Sequence, residues 1–222
     1  PGYENTSTNP CSEIAMQGGD SCRLIALNLF KFVEEPFTPQ AKFNMNKFYQ
    51  ATYEGQRLMD DLVDLEVEAI ERILKKVDSD EEPESIKIVE KETWELLLKT
   101  GKEGRRTGLG FTALADMVAA LGYKYDSDES IEFIENMMRE KCRAEFDCSI
   151  DMSLERGSFV GFNKDIEETS EFVQMLKVEL PEVYERMMKF GRRNISISTV
   201  APTGTLSMLA QTSSGIEPVF MT

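Results

Sequence analysis

Residues 194–211 read NISISTVAPTGTLSMLAQ, a strand, a turn and a short helix in sequence. Residues 194–200 alternate β-branched with small polar side chains, the period-two pattern of a strand. Ala201-Pro202-Thr203-Gly204-Thr205 then turns the chain, and residues 206–211 continue as a short helix. A strand running through a Gly/Thr turn into a helix is an α/β unit. It leaves main-chain N–H groups unpaired at the helix start, where the helix dipole and the hydroxyls of Thr203, Thr205 and Ser207 favour an anion. It is not a Walker A loop, because the lysine is missing and the spacing differs. The same residues also read as a capped helix start after a tight turn.

Towards the N-terminus the pattern is mainly helical. Residues 181–190 read as a helix with Pro181 in its first turn, and residues 165–176 as another. Ser127 or Asp128 can cap a helix running to about residue 156. Residues 105–110, RRTGLG, lead from a short extended piece into a buried helix over 111–121, with Gly122 suited to its C-cap. Residues 90–100 predict a helix stopped by Gly101. Residues 44–77 carry the longest helical period, with Phe48, Leu58, Leu62, Leu65, Ala69 and Ile73 as the apolar stripe. The acidic run after it, residues 78–83, is a solvated loop. Residues 23–33, RLIALNLFKFV, read as a buried strand ended by Glu34-Glu35-Pro36, and residues 1–23 as an ordered loop. Mostly helices with few, buried strands give an α/β class. The chain divides into an opening loop and strand (1–33), a helical scaffold (34–193) and the strand-turn-helix (194–222).

Composition narrows the function. The 222 residues carry 25 Lys+Arg against 40 Asp+Glu, a net charge of −15. That excludes a broad nucleic-acid face and electrostatic docking on an anionic membrane. The acidity lies almost wholly in residues 34–193, so one small anion at the nearly neutral termini is still compatible. There is no histidine, which removes Ser-His-Asp triads, Cys-His dyads and HExxH zinc sites. Four cysteines are no disulfide framework and favour a reducing cytoplasm. The longest uncharged stretch, residues 194–216, holds a proline, two glycines and many hydroxyls, so it is not a membrane span. The opening PGYENTSTNPCSE shows no targeting pattern and reads as the start of a segment of a longer polypeptide.

Two further constellations can carry chemistry. In Asn9-Pro10-Cys11-Ser12-Glu13, an extended backbone would turn Asn9, Cys11 and Glu13 to one side, presenting amide, thiol and carboxylate to one ligand. The plainer reading is a loop cysteine beside an Asn-Pro turn and a solvated glutamate. Cys22 follows eleven residues later. It is either a small core residue or, if the Gly18-Gly19 loop doubles back, a second sulfur near Cys11. No CxxC pair or histidine supports zinc, and no residue is assigned to a metal. Cys142 and Cys148 lie about 120° apart around a helix and read as packing residues.

Taken together and in order, NPCSE, RLIALNL, RRTGLGFTALADMVAALGY and RRNISISTVAPTGTLSMLAQTSSGIEP resemble the catalytic subunit of ribonucleotide reductase over essentially the whole chain. The resemblance implies part of that family's ten-stranded α/β barrel, with NPCSE as its central finger loop. The gap from Cys11 to Cys22 and the APTGT and SSGIEP wording are similar to the adenosylcobalamin-dependent class rather than the di-iron-fed class. By resemblance, Cys11 becomes the thiyl radical, Glu13 takes the 3′-hydroxyl proton, and Asn9 bonds the sugar hydroxyls. Cys22 is one cysteine of the reducing pair, and Ala201, Pro202, Thr203, Gly204, Thr205 and Ser207 receive the phosphates. The resemblance also implies a ribonucleotide substrate, a thioredoxin-like or dithiol reductant, and a homodimer when full length. The second redox cysteine, the rest of the barrel and a complete cobalamin site would lie outside this chain, which is then inactive alone. The runner-up among enzymes is a fragment of the di-iron-fed class I large subunit, and the rival from another class is a non-catalytic acidic helical interaction module.

Overall fold

The structure is a computed structural model and describes residues 5–218; the outermost parts of the predicted first and last segments, residues 1–4 and 219–222, lie outside the described residues. The chain opens with a small antiparallel hairpin, β1 (Ser7–Thr8) and β2 (Ala15–Met16), where a continuous loop is expected from its Asn, Ser and Gly content. β3 (Leu24–Asn28) follows, then a 3₁₀ turn at Leu29–Phe32 and a second small hairpin, β4 (Val33–Glu34) with β5 (Lys42–Phe43). The strand expected over 23–33 is therefore five residues long. It is also half-exposed rather than buried, Leu24 being 39% accessible.

α1 (Met45–Ser79) starts where the Asn44 side chain accepts from the Lys47 N–H at 2.9 Å. Its buried face is Phe48, Thr52, Gly55, Gln56, Met59, Asp60, Val63, Val67 and Ile70. Leu58, Leu62 and Leu65, which carry the helical period in the sequence, are exposed. The reason is polar: Gln56 and Asp60 belong to a buried hydrogen-bond network, so hydrophobicity alone points to the wrong face.

α2 (Glu84–Gly104) is longer at both ends than predicted and runs through Gly101. That glycine gives room instead of stopping the helix, since a Cβ there would sit 3.2 Å from Arg23 Nη2. Arg105, in the left-handed region at φ 49°, ends the helix. β6 (Gly108–Thr112) takes in Phe111, and α3 (Leu114–Ala120) begins only after Ala113 at φ 67°, which shortens the helix expected over 111–121. α4 (Asp128–Arg156) is capped by Ser127, as the sequence predicts. The helix expected over 165–176 is two pieces, α5 (Lys164–Glu167) and α6 (Glu171–Glu179), and α7 (Pro181–Phe190) starts at its proline. α8 (Gly204–Ala210) is the last helix described.

β3 and β6 pair in parallel, Leu24 opposite Gly108 through Asn28 opposite Thr112. On the other edge of β6 lies the 194–200 stretch. It is not a regular strand: a single parallel bridge joins Leu109 to Ser198. Main-chain bonds still hold it extended along β6, from Thr107 N to Ser196 O (3.0 Å), Leu109 N to Ile197 O (2.9 Å) and Thr199 N to Leu109 O (3.2 Å). β6 is buried throughout. The result is a parallel sheet with helical crossovers, the local plan of an α/β barrel.

α1 and α4 run parallel beside it. Tyr49 donates to Asp147 (2.8 Å), Tyr53 to Asp151 (2.9 Å) and Arg57 to Glu155 (2.7 Å), each pair 98 residues apart. One apolar cluster joins Leu29, Phe32, Phe48, Phe111 and Met117; another joins Phe146, Ile150, Leu176, Met187 and Ile197. Between them, fully buried Asp60 binds Arg105 Nε (2.7 Å), Asn194 Nδ2 (2.9 Å) and Arg193 Nε (3.3 Å), while Gln56 Nε2 reaches Thr107 and Asn194. This network fixes where the chain enters both β6 and the 194–200 stretch.

Candidate active site

The hairpin tip is a tight turn, not the extended loop that would align Asn9, Cys11 and Glu13. Asn9 N donates to Ile14 O (3.1 Å), Ser12 N donates to Asn9 O (2.9 Å), and Ser12 lies at φ 65°. Asn9 is buried. Its Oδ1 accepts from Ile14 N (3.0 Å), and its Nδ2 donates to Cys22 Sγ (3.3 Å). Asn9 thus braces the hairpin and faces Cys22, while Cys11 and Glu13 face elsewhere.

Cys22 reaches the hairpin because the preceding loop doubles back at Gly19, φ 75°. Arg23 and Arg106 clamp that loop: Arg106 Nε binds Asp20 Oδ2 and Arg23 Nε binds Glu66 Oε2, each at 2.5 Å, and Arg23 Nη1 donates to Arg106 O at 2.9 Å. Burial pushes the Cys22 thiol above its ordinary range. The charges of Glu13 and Cys11 add to this, against the Asn9 hydrogen bond and Arg23. At neutral pH Cys22 is therefore a protonated thiol.

Cys11 and Glu13 line a cavity of about 240 Å³. Its other walls are Leu24, Ile25 and Ala26 of β3, Gly110 of β6, and Ala201, Pro202, Thr203, Gly204 and Leu206. The two ends of the chain, both singled out in the sequence, meet here. Cys11 is exposed. Both carboxylate oxygens of Glu13 are buried and have no hydrogen-bond partner among the described residues. A buried carboxylate left unpaired is costly unless another group satisfies it.

The 201–207 turn divides by role. Ala201 to Gly204 line the cavity, but Thr205 does not, and Ser207 is buried with its hydroxyl on Gly204 O (2.8 Å) and Ser214 Oγ (2.7 Å). Thr203, at φ 52°, accepts from Gly215 N (2.8 Å) and donates to Thr112 Oγ1 (3.2 Å). The hydroxyls of Thr203 and Ser207 therefore shape the turn. α8 has no side-chain N-cap, so main-chain N–H groups are what its start offers a ligand.

Several supporting residues carry no sequence signal of their own. Thr199 Oγ1 donates to the Glu13 carbonyl at 3.4 Å. Asp116 accepts from Ser213 N (2.6 Å) and Ser213 Oγ (2.8 Å), holding the segment after α8. Gly110 lets the 194–200 stretch come close, since a Cβ there would lie 3.0 Å from Thr199 O. Cys142 and Cys148 stay apart from the site as free thiols, both pushed up to about 12 by burial. Among the described residues, no group of three or more His, Cys, Asp or Glu is placed to hold a metal, and no helix is long and apolar enough to cross a membrane.

A parallel strand pair covered by helices, beside a hairpin whose tip carries a thiol and a carboxylate, defines a segment of an α/β barrel. The family described as ribonucleotide reductase, barrel domain, matches residues 4–222, and the chain belongs to that family. The vitamin B12-dependent ribonucleoside-diphosphate reductase of Mycobacterium tuberculosis is 27% identical over 215 residues, covering 96% of this chain and 24% of that protein. The protein of the same description from Thermoplasma acidophilum is 28% identical over 214 residues, covering 96% of this chain and 22% of that one. Among solved structures, the Actinobacillus ureae class Id ribonucleotide reductase alpha subunit superposes with a TM-score of 0.58 at 16% identity, over 97% of this chain and 32% of that one, and shows the same fold. The chain thus spans about a quarter of the length of the curated relatives it matches.

Proposed function

We propose that this chain is the finger-loop and phosphate-loop segment of a cobalamin-dependent ribonucleotide reductase, a larger catalytic polypeptide that converts ribonucleoside di- or triphosphates to 2′-deoxyribonucleotides. The observation that carries this reading is the shared cavity of Cys11, unpaired Glu13 and the 201–204 turn. A non-catalytic acidic helical module gives no reason to bury an unpaired carboxylate beside an exposed thiol.

The names of the relatives imply a cobalamin. The cavity beside Cys11 does not fit one: at about 240 Å³ it suits a sugar phosphate rather than a corrin. Adenosylcobalamin is therefore assigned to surfaces other than these residues, and the chemistry below uses this chain's own groups.

The nucleotide's phosphates rest on the main-chain N–H groups at the start of α8, and its ribose lies over Cys11 and Glu13. Cys11, as the thiyl radical, takes the 3′-hydrogen and becomes a thiol. Glu13 takes the 3′-hydroxyl proton as general base. The 2′-hydroxyl leaves as water on taking a proton from the reducing pair, Cys22 and a second cysteine outside this chain. That pair also gives a hydrogen atom to C2′ and one further electron, ending as a disulfide, so its two protons and two electrons are all used. Glu13 returns its proton to the 3′-oxygen, and Cys11 returns the hydrogen to C3′ and is again the thiyl radical. The raised Cys22 thiol suits this role, since the donor must hold its proton at neutral pH. A dithiol or thioredoxin-like protein would reduce the disulfide, and a cytoplasmic setting agrees with four free cysteines.

The test is Glu13→Gln in the full polypeptide that carries this segment. The expected result is a fall in kcat of about 10²–10⁴-fold with nucleotide affinity retained. Unchanged kcat would remove Glu13 from the reaction.

A further inference from the structure

A lysine fully buried in α4 lies under the strand rung that leads to the site. Lys141 Nζ donates to Leu109 O (2.8 Å), to Ser198 Oγ (2.7 Å) and to Glu145 Oε1 (2.5 Å). Lys141 is 0% and Glu145 1% exposed. A buried ion pair is weak evidence of stability, because desolvation offsets the attraction between the charges. Its placement is more informative. Leu109 and Ser198 are the two residues of the one parallel bridge between β6 and the 194–200 stretch. Main-chain bonds hold that stretch extended along β6, and Lys141, bound to both members of its one bridge, ties it there a second time. The next residue, Thr199, donates to Glu13 O, and the next on β6, Gly110, lines the cavity.

We infer that Lys141, held by Glu145, is a positioning residue that sets the register of residues 195–199 against β6 and thereby the placement of the Glu13 carboxylate. This rests on the reaction proposed above. Lys141 touches no part of the cavity, so its effect passes through Ser198, Leu109 and Thr199. The phosphate turn has its own anchors, Thr203 to Thr112 and to Gly215. Loss of Lys141 should therefore act on the chemical step more than on nucleotide binding.

The experiment uses the full polypeptide with two variants, Ser198→Ala and the paired Lys141→Met/Glu145→Leu. Ser198 is exposed, so its alanine variant is expected to fold. The pair is replaced by apolar groups of similar size, a change that buried ion pairs often tolerate. Thermal midpoints, kcat and KM are measured for each. The account predicts near-native midpoints, KM within about twofold, and kcat lowered severalfold in Ser198→Ala and about tenfold or more in the paired variant, as small misplacements of reacting groups produce. A purely structural lysine would lower the midpoint and leave kcat per folded molecule unchanged. Wild-type kcat in both variants overturns the inference, and if the paired variant does not fold, Ser198→Ala alone decides. These failures differ from failure of the proposed function, which shows as no ribonucleotide reduction in the unsubstituted protein.

Discussion

Thr199 Oγ1 donates to the main-chain carbonyl of Glu13 at 3.4 Å, joining two residues 186 positions apart. This contact stitches the β1–β2 hairpin to the stretch that leads into the 201–204 turn. In the proposed reaction it makes the placement of Glu13 depend on both segments at once. Thr199→Val keeps the shape and removes the hydroxyl. It is expected to cost about 1 kcal/mol of stability in chemical denaturation and to lower kcat more than it raises KM in the full polypeptide. Unchanged kcat would show that the hairpin keeps its place without Thr199.

Gly110 supplies the second constraint on that approach. Gly110→Ala puts a methyl group 3.0 Å from the Thr199 carbonyl, a main-chain atom that must move with its whole segment. The expected cost is about 1–3 kcal/mol, read as a lower denaturation midpoint, with a loss of turnover beyond that of Thr199→Val. Gly122→Ala is a control with open space around it, strained only by its φ of 82°.

Asp60 sets the acid limb of stability. Burial by itself raises this carboxyl, but the hydrogen bond and charge of Arg105, the charge of Arg193 and the bond from Asn194 outweigh it and hold the group below its ordinary value. The folded state therefore binds this proton less readily than the unfolded chain. The stabilisation is fully present above the unfolded value of about 4 and is lost as pH falls through the lower folded value. Denaturation from pH 7 to pH 2 should show stability falling below about pH 4, and Asp60→Asn should flatten part of that limb. Asp60→Ala, which strands buried arginine charge, should cost about 3–5 kcal/mol at pH 7.

The thiols should separate by reactivity. Cys11 is exposed, Cys22 is half-buried with a raised thiol, and Cys142 and Cys148 sit near 12. Iodoacetamide at pH 8 with peptide mapping is expected to modify Cys11 first and Cys22 later, and to reach Cys142 and Cys148 only on unfolding. Labelling of Cys142 as fast as Cys11 would contradict the placement of α4.

The α/β class, the parent family and the long helices were legible because periodicity and capping residues are local signals. Ser127 and Pro181 start α4 and α7 as read, and the short helix after the 201–205 turn is present, while the strand expected over 194–200 is an extended stretch with a single bridge. The buried face of α1 was not legible. Gln56 and Asp60 are polar in sequence and buried only because Arg105 and Asn194 arrive from distant segments. For the same reason the turn of Asn9 towards Cys22 could not be read from spacing, since a tight hairpin replaces the extended loop that spacing assumes. The roles of Thr199, Gly110 and Lys141 exist only across the β6 rung, so no local pattern announces them.

In the proposed reaction Cys11 carries the reacting sulfur, in a cavity that also takes the nucleotide. The most direct test is Cys11→Ala in the full polypeptide, with conversion of ribonucleotide to deoxyribonucleotide and nucleotide affinity measured on the same preparation. The expected result is conversion below detection with nucleotide binding close to that of the unsubstituted protein. Conversion at the unsubstituted rate, with Cys11 gone, would contradict it.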